Sequence, residues 1–174
     1  MSEEQTAETP EERRAERWHE WFDTRFRTPA AVYGLILYSS LLMITADYHE
    51  GVADAVIASV ATLVVFFISH VFAYTLADHG RHSLRAATLY SLTHSAGMLW
   101  ASIPPTIAML VAGANGLNAD DSSVYALWTT MLVLAFLGYV AYWRTGARVW
   151  ARILGAIGTS LLGAVVAILE YAFH

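Results

Sequence analysis

Residues 55–77 read AVIASVATLVVFFISHVFAYTLA, and His70 is the one strongly polar side chain among them. A helix of a soluble bundle carries a polar stripe that returns with each turn, and this segment has no such stripe. It is longer than the roughly 20 residues that an α-helix needs to cross a hydrocarbon core of about 30 Å. The segment is therefore predicted to be a transmembrane helix.

Similar apolar runs lie before and after this segment, and the composition agrees with them. Only 14% of the residues are charged, whereas soluble domains carry about 25%. The pattern predicts an all-α, polytopic transmembrane helical bundle with five spans. These are residues 29–46, 55–77, 88–112, 124–143 and 149–173.

The chain before the first span is polar. Residues 1–9 are acidic and small, and are predicted to be a disordered arm. Residues 10–27 begin with Pro10 after Thr9 and place their aromatic residues on one face. They are predicted to form an amphipathic helix along the membrane surface, with packing on a neighbouring subunit as the alternative. Residues 28–174 then form the five-span domain.

The placement of positive charge predicts the orientation. With five spans, every basic residue falls on one side of the membrane, as the positive-inside rule requires. This places the N-terminus in the cytoplasm and the C-terminus outside a cell membrane, whether inner or plasma membrane. The basic residues are Arg13, Arg14, Arg17, Arg25 and Arg27 before span one, Arg81 and Arg85 after span two, and Arg144, Arg148 and Arg152 after span four.

Two histidines lie inside predicted spans. Counted from the cytoplasmic ends, His70 and His94 both lie roughly 9 to 11 Å deep. Their spans are joined by a short connection, so they are expected to be antiparallel neighbours, with the imidazoles level and facing each other. Ionisable groups within a membrane usually mark a pathway or a site. The alternative is that each histidine hydrogen-bonds a neighbouring hydroxyl, from Ser69, Tyr74, Ser91 or Ser95.

Further polar groups lie near both ends of these spans. Asp78, His79 and His82 follow span two, and with the two histidines they form a candidate metal site, a polar vestibule or an ordinary solvated loop. Glu170 near the outer end of span five either lines a pore mouth or extends toward water. Whether a metal binds is left open.

Span three contains the sequence Pro104-Pro105-Thr106. Two missing backbone donors predict a kink, or a broken helix that lines a cavity as in transport proteins. Span five carries Gly155, Thr159 and Gly163 at four-residue spacing, which favours close packing of two helices. That packing is expected either within the bundle or between subunits.

Several kinds of chemistry have no support in the sequence. The chain has no cysteine, which excludes disulfides and thiol catalysis. Nucleotide-binding, serine-hydrolase and zinc-protease motifs are not found. An enzyme is not expected, and nucleic-acid binding is not indicated.

The segments FISHVFAY (residues 67–74) and GAVVAIL (residues 163–169), with the terminal His174, resemble a group of small bacterial integral membrane proteins of unknown function. Members of that group are similar in having a His-Val-aromatic motif in an early span and a glycine-led last span that ends in His. A basic residue often stands near the end of that last span, where this chain has Glu170. The resemblance implies a membrane protein and implies no activity.

These observations favour a homo-oligomeric channel or small transporter for ions. Its partners would be the lipid bilayer, further copies of the chain, and a small ion or solute. The candidate path residues are His70, Tyr74, Asp78, His82, His94, Pro104, Pro105, Thr106 and Glu170. Two alternatives remain open: a haem protein with His70 and His94 as axial ligands, and an accessory subunit without chemistry of its own.

Overall fold

The structure is a computed structural model that describes residues 28–78 and 83–173, apart from the side chains of 78, 166, 167 and 169–173. The described residues form helices joined by short connections and contain no strand. The helices are α1 (Pro29–Tyr48), α2 (Val52–Asp78), α3 (Leu84–Ala101), α4 (Ile103–Ala114), α5 (Ala119–Arg144) and α6 (Val149–Phe173).

The predicted all-α fold is confirmed, and the helices are apolar enough for a multi-pass membrane protein. Four helical segments have the length and composition to cross a membrane, where α3 and α4 count together as Leu84–Ala114. The apolar helix Val149–Val165, within α6, is shorter. The predicted arm at residues 1–9 and the amphipathic helix at 10–27 lie outside the described residues.

Side chains placed just before the helices define where they begin. The Thr28 hydroxyl accepts a hydrogen bond from the backbone N–H of Ala31 at 3.1 Å, and Pro29 occupies the first turn, as the sequence predicts. Ser83 caps α3 in the same way. The third span therefore begins four residues before the predicted residue 88.

Two connections end their preceding helices with the same glycine turn. Gly116 and Gly146 have φ values of 90° and 70°, in the left-handed region that glycine adopts without steric cost. The N–H groups of Gly146 and Ala147 donate to the carbonyls of Trp143 and Tyr142, at 3.1 and 3.3 Å. This pattern is the Schellman motif, and it reverses the chain between α5 and α6 within four residues.

The two prolines of span three fall in the first turn of α4. The N–H groups of that turn have no partner within their own helix, so proline costs little there. At the break between the helices, the Ser102 hydroxyl donates to the carbonyl of Leu99 at 2.8 Å. The sequence predicted a kink or a broken helix, and the structure has two separate helices.

Helix α1 lies at the centre of the bundle and packs against α2, α3 and α5. Of its span, 44% is buried, against 22% for α2. Large apolar side chains are exposed on every helix, among them Ile44, Ile57, Leu89, Ile107, Leu132 and Leu154. So much apolar surface is unusual for a soluble protein and suits contact with lipid.

The small face of α6 packs against α5 within the same chain. The Thr159 hydroxyl donates to the carbonyl of Leu134 in α5 at 2.8 Å. A Cβ atom on Gly138 would contact Thr159 and would lie 2.5 Å from the carbonyl oxygen of Gly155. Of the two expectations for Gly155, Thr159 and Gly163, packing within the bundle is the one observed.

Candidate functional site

The imidazole of His70 lies on α2 at the edge of the α1–α2 contact and is partly buried. Its ring stacks on Tyr33 of α1, with centroids 6.3 Å apart. It also meets Tyr74, one turn further along α2, at 4.8 Å. Both tyrosines are themselves exposed. We call Tyr33, His70 and Tyr74 the His70 cluster, and it lies at the surface of the chain.

His94 is exposed on α3 and has a tyrosine partner of its own. Its ring stacks on Tyr90, one turn earlier, with centroids 4.8 Å apart and planes inclined by 26°. We call these two residues the His94 pair. Among the described residues, neither imidazole makes a ring contact or a hydrogen bond with the other. The expected face-to-face arrangement of His70 and His94 is thus not observed.

The two histidines nevertheless lie at similar depths. His70 lies eight residues before the end of α2, and His94 lies ten residues after the start of α3. At 1.5 Å per residue, these offsets place them roughly 12 and 15 Å from the connection between the two helices. Because α2 and α3 pack against each other, the His70 cluster and the His94 pair belong to one helical hairpin.

The hydroxyl groups near the histidines bond to backbone carbonyls of their own helices. Ser69 donates to the carbonyl of Val65, and Ser91 donates to that of Ala87, both at 2.8 Å. The Ser95 hydroxyl is buried and has no partner among the described residues. Among the described residues, no hydrogen bond joins either histidine to these hydroxyls.

Thr106 and the prolines lie elsewhere in the molecule. The Thr106 hydroxyl pairs with the Tyr38 hydroxyl of α1 at 2.7 Å, and Tyr38 and Pro105 are fully buried. These residues pack the interior between α1 and α4. The structure therefore separates Pro104, Pro105 and Thr106 from the surface that carries the histidines.

The remaining candidates stay predictions. Asp78 ends α2 and Glu170 lies in the last turns of α6, but their side chains are not described, and His82 lies outside the described residues. Within residues 28–78 and 83–173, no group of three histidine or acidic side chains is arranged to hold a metal ion. The proposed cluster with His79 and His82 includes residues beyond these ranges.

The connections α1–α2 and α4–α5 meet at one end of the bundle, which we call the acidic end. Asp47, His49, Glu50, Asn118 and Asp120 are among the residues that line a cavity of about 470 Å³ there. Arg144 ends α5, so it lies at the opposite end of that helix. The separation of acidic and basic connections agrees with the sequence pattern.

A second recess lies beside the acidic end and was not expected from the sequence. It has a volume of about 540 Å³ and is lined by Leu117, Asp121, Val124, Tyr125 and Trp128. The spacing of Asp121, Tyr125 and Trp128, four and then three residues apart, places them on one face of a helix. That spacing is the signal in the sequence that would have placed these three side chains together.

Comparison with known proteins finds no matching family model, no matching curated protein and no matching solved structure.

Proposed function

We propose that this protein is a homo-oligomeric membrane channel or small transporter for ions. The path runs between copies of the chain, along the α2–α3 hairpin that carries the His70 cluster and the His94 pair. The observation that supports this most directly is the exposure of His94 on the outer surface of a helix apolar enough to cross a membrane.

An exposed histidine in this position needs a polar environment. Ionisable residues within transmembrane helices almost always face the interior of a bundle or a cavity filled with water. In this chain, Ser69 and Thr93 are exposed beside the two histidines, and Tyr74 and Tyr90 are exposed with them. This polar surface on α2 and α3 is therefore better suited to a second protein surface and to water than to lipid.

The interior of one chain leaves little room for a path. Tyr38, Leu42, Met98, Met109 and Leu134 are completely buried and fill the space between α1, α3, α4 and α5. Their side chains pack into the two apolar clusters of the core. A path between copies avoids this core, which favours an oligomer over a pore within one chain.

The interface is tested by cross-linking, because the chain has no native cysteine. Thr93→Cys on α3 and Ile157→Cys on α6 introduce single thiols at exposed positions. Each lies roughly 12 to 14 Å from the start of its helix, so the pair is matched in depth. Oxidation in membranes should give covalent dimers for Thr93→Cys and not for Ile157→Cys. The reverse result would place the interface away from the hairpin.

The flux is tested in reconstituted vesicles loaded with dyes for protons and for potassium. The wild-type protein should speed the decay of at least one ion gradient relative to empty vesicles. The double variant His70→Phe, His94→Phe keeps aromatic rings against the tyrosines but removes the polar atoms. It should slow the flux at least about tenfold, which corresponds to about 1.4 kcal/mol in the barrier.

The control variant is His49→Phe, which replaces a histidine in the α1–α2 connection and should leave the flux unchanged. Wild-type vesicles that leak no faster than empty ones would contradict a channel or transporter and favour an accessory subunit. A visible absorption band of the purified protein that disappears in the double variant would replace the proposal with a haem protein.

A further inference from the structure

The recess beside the acidic end combines a carboxylate with two exposed aromatic rings. Tyr125 and Trp128 are 55% and 62% exposed, and Asp121 is exposed one turn before Tyr125. The volume of about 540 Å³ lies within the roughly 300–1,000 Å³ of small-molecule sites. The recess is therefore large enough to hold a ligand, and its polar and aromatic groups limit which ligand fits.

The start of α5 holds these groups in place. The Asn118 side chain accepts a hydrogen bond from the backbone N–H of Asp121 at 2.7 Å, which places Asp121 in the first helical turn. Trp128 follows nine residues after the start of the helix, roughly 13 Å along its axis. The recess thus extends from the polar end of the helix toward the middle of an apolar span.

The described part of the chain places no basic side chain against Asp121. It has no lysine, and residues 28–80 and 86–143 contain no arginine. Arg144 is on the same helix but lies 23 residues away, roughly 35 Å along the axis. Among the described residues, Asp121 has no ion pair. The exposed carboxylate is therefore available to a cationic ligand.

The helix terminus does not cancel the negative charge. The N-terminus of a helix carries about half a positive charge, whereas the Asp121 carboxylate carries a full negative charge. Glu50 lies at the same end of the bundle. The described charges beside the recess are therefore negative, which favours a cation over an anion as its ligand.

Each residue also has an ordinary structural reason to be present. Tyrosine and tryptophan are common at the membrane interface, and aspartate is common in the first turn of a helix. Neither reason by itself brings a carboxylate and two aromatic rings together in one recess. Aromatic faces together with a carboxylate recognise ammonium groups, and Leu117 and Val124 add an apolar wall.

We propose that this recess binds an organic ammonium ion that carries a hydrocarbon chain. The ammonium group lies between Asp121 and the faces of Tyr125 and Trp128, and the hydrocarbon follows the apolar surface of α5. Both a phospholipid with an amine headgroup and a free cationic amphiphile have this chemistry.

The test measures binding of dodecyltrimethylammonium to the purified protein in nanodiscs of phosphatidylglycerol, by isothermal titration calorimetry. Dodecyl maltoside, with the same tail and no charge, is the reference. The wild-type protein should bind the ammonium compound at least about tenfold more tightly than the reference, a difference of about 1.4 kcal/mol. Asp121→Asn should abolish this preference, and Trp128→Leu should weaken it.

The matched control is Asp54→Asn, which removes an exposed carboxylate in the first turn of α2 and should leave the preference unchanged. Far-ultraviolet circular dichroism and the melting temperature establish that each variant folds. A wild-type protein without the preference, a preference that survives Asp121→Asn, or an equal loss in both Asn variants would overturn the proposal.

Nanodiscs that contain phosphatidylethanolamine distinguish the two sources. If the amine lipid fills the recess, it should compete with dodecyltrimethylammonium in the wild-type protein and be retained in native mass spectra. If a free amphiphile is the ligand, binding should be the same in both lipids. Because no flux is measured, failure of this inference is distinct from failure of the proposed channel or transporter.

Discussion

Gly138 is the residue on which the contact between α5 and α6 depends most closely. A side chain there would run into Thr159 and the backbone of Gly155. Its absence brings the helices close enough for the Thr159 hydroxyl to reach the carbonyl of Leu134. In lipid, packing and hydrogen bonds hold helices together, because the apolar solvent supplies no hydrophobic driving force between them.

We therefore expect Gly138→Ala to destabilise the protein by about 1–3 kcal/mol, the usual cost of overpacking a close contact. Alanine stabilises a helix relative to glycine by up to about 1 kcal/mol. The higher helix propensity of alanine therefore offsets part of this loss of stability. The measurement is unfolding in mixed micelles of detergent and dodecyl sulfate, followed by circular dichroism.

The matched exchange is Gly158→Ala on α6, where an added Cβ atom would meet nothing within 4 Å. This variant should be as stable as the wild type or slightly more stable. If both variants lost the same free energy of unfolding, the close contact at Gly138 would not be the cause.

At the scale of elements, the break between α3 and α4 sets the position of Thr106 against Tyr38. The prolines keep Thr106 in the first turn of a new helix, where its hydroxyl pairs with that of Tyr38. Without them, residues 84–114 can form one straight helix, and we expect that straightening to move Thr106 away from Tyr38.

A double-mutant cycle tests this coupling. Tyr38→Phe should cost about 0.5–1.5 kcal/mol in the wild-type background, the net value of a typical hydrogen bond. It should cost markedly less when Pro104 and Pro105 are both replaced by Ala, since the bond is then already lost. Tyr33→Phe is the control and should cost the same in both backgrounds. Equal costs for Tyr38→Phe would show that the prolines do not hold this contact.

For the whole molecule, the acidic and arginine-bearing connections predict the orientation. Ala53 lies near the acidic end and is exposed, as is Asn115 in the α4–α5 connection, whereas Ser122 is fully buried. Cysteines at Ala53 and Asn115 should therefore react with an impermeant thiol reagent in intact cells. A cysteine at Ser83 should react only after the membrane is permeabilised, because arginine-rich connections stay in the cytoplasm. Labelling of Ser83 alone in intact cells would reverse the orientation.

Much of the helical framework could be predicted from short segments of sequence. The helix start at Thr28 and Pro29 is confirmed because capping depends on residues only a few positions apart. The division of span three at its prolines follows from local backbone chemistry for the same reason. The missed residues 84–87 form the first turn of α3, where the cap at Ser83, rather than the apolar pattern, defines the boundary.

The candidate site could be predicted only in part. The depths of His70 and His94 follow from helix rise, which is a property of each helix alone. Their directions do not, because rotation of a helix about its axis depends on what it packs against. Each ring contacts a tyrosine one turn away on its own helix, while Thr106 turns inward to Tyr38.

The sequence by itself determined that this is a helical protein with apolar spans, that its first span begins at Pro29, and how the charges divide between the connections. The tertiary structure alone decided that α1 is central, that the small face of α6 is used within the chain, that His94 points outward, and that Asp121 shares a recess with Tyr125 and Trp128. The physical reason is that a helix apolar on all sides carries no periodic signal that distinguishes its buried face from its lipid face. Only the packing of helices against one another makes that distinction.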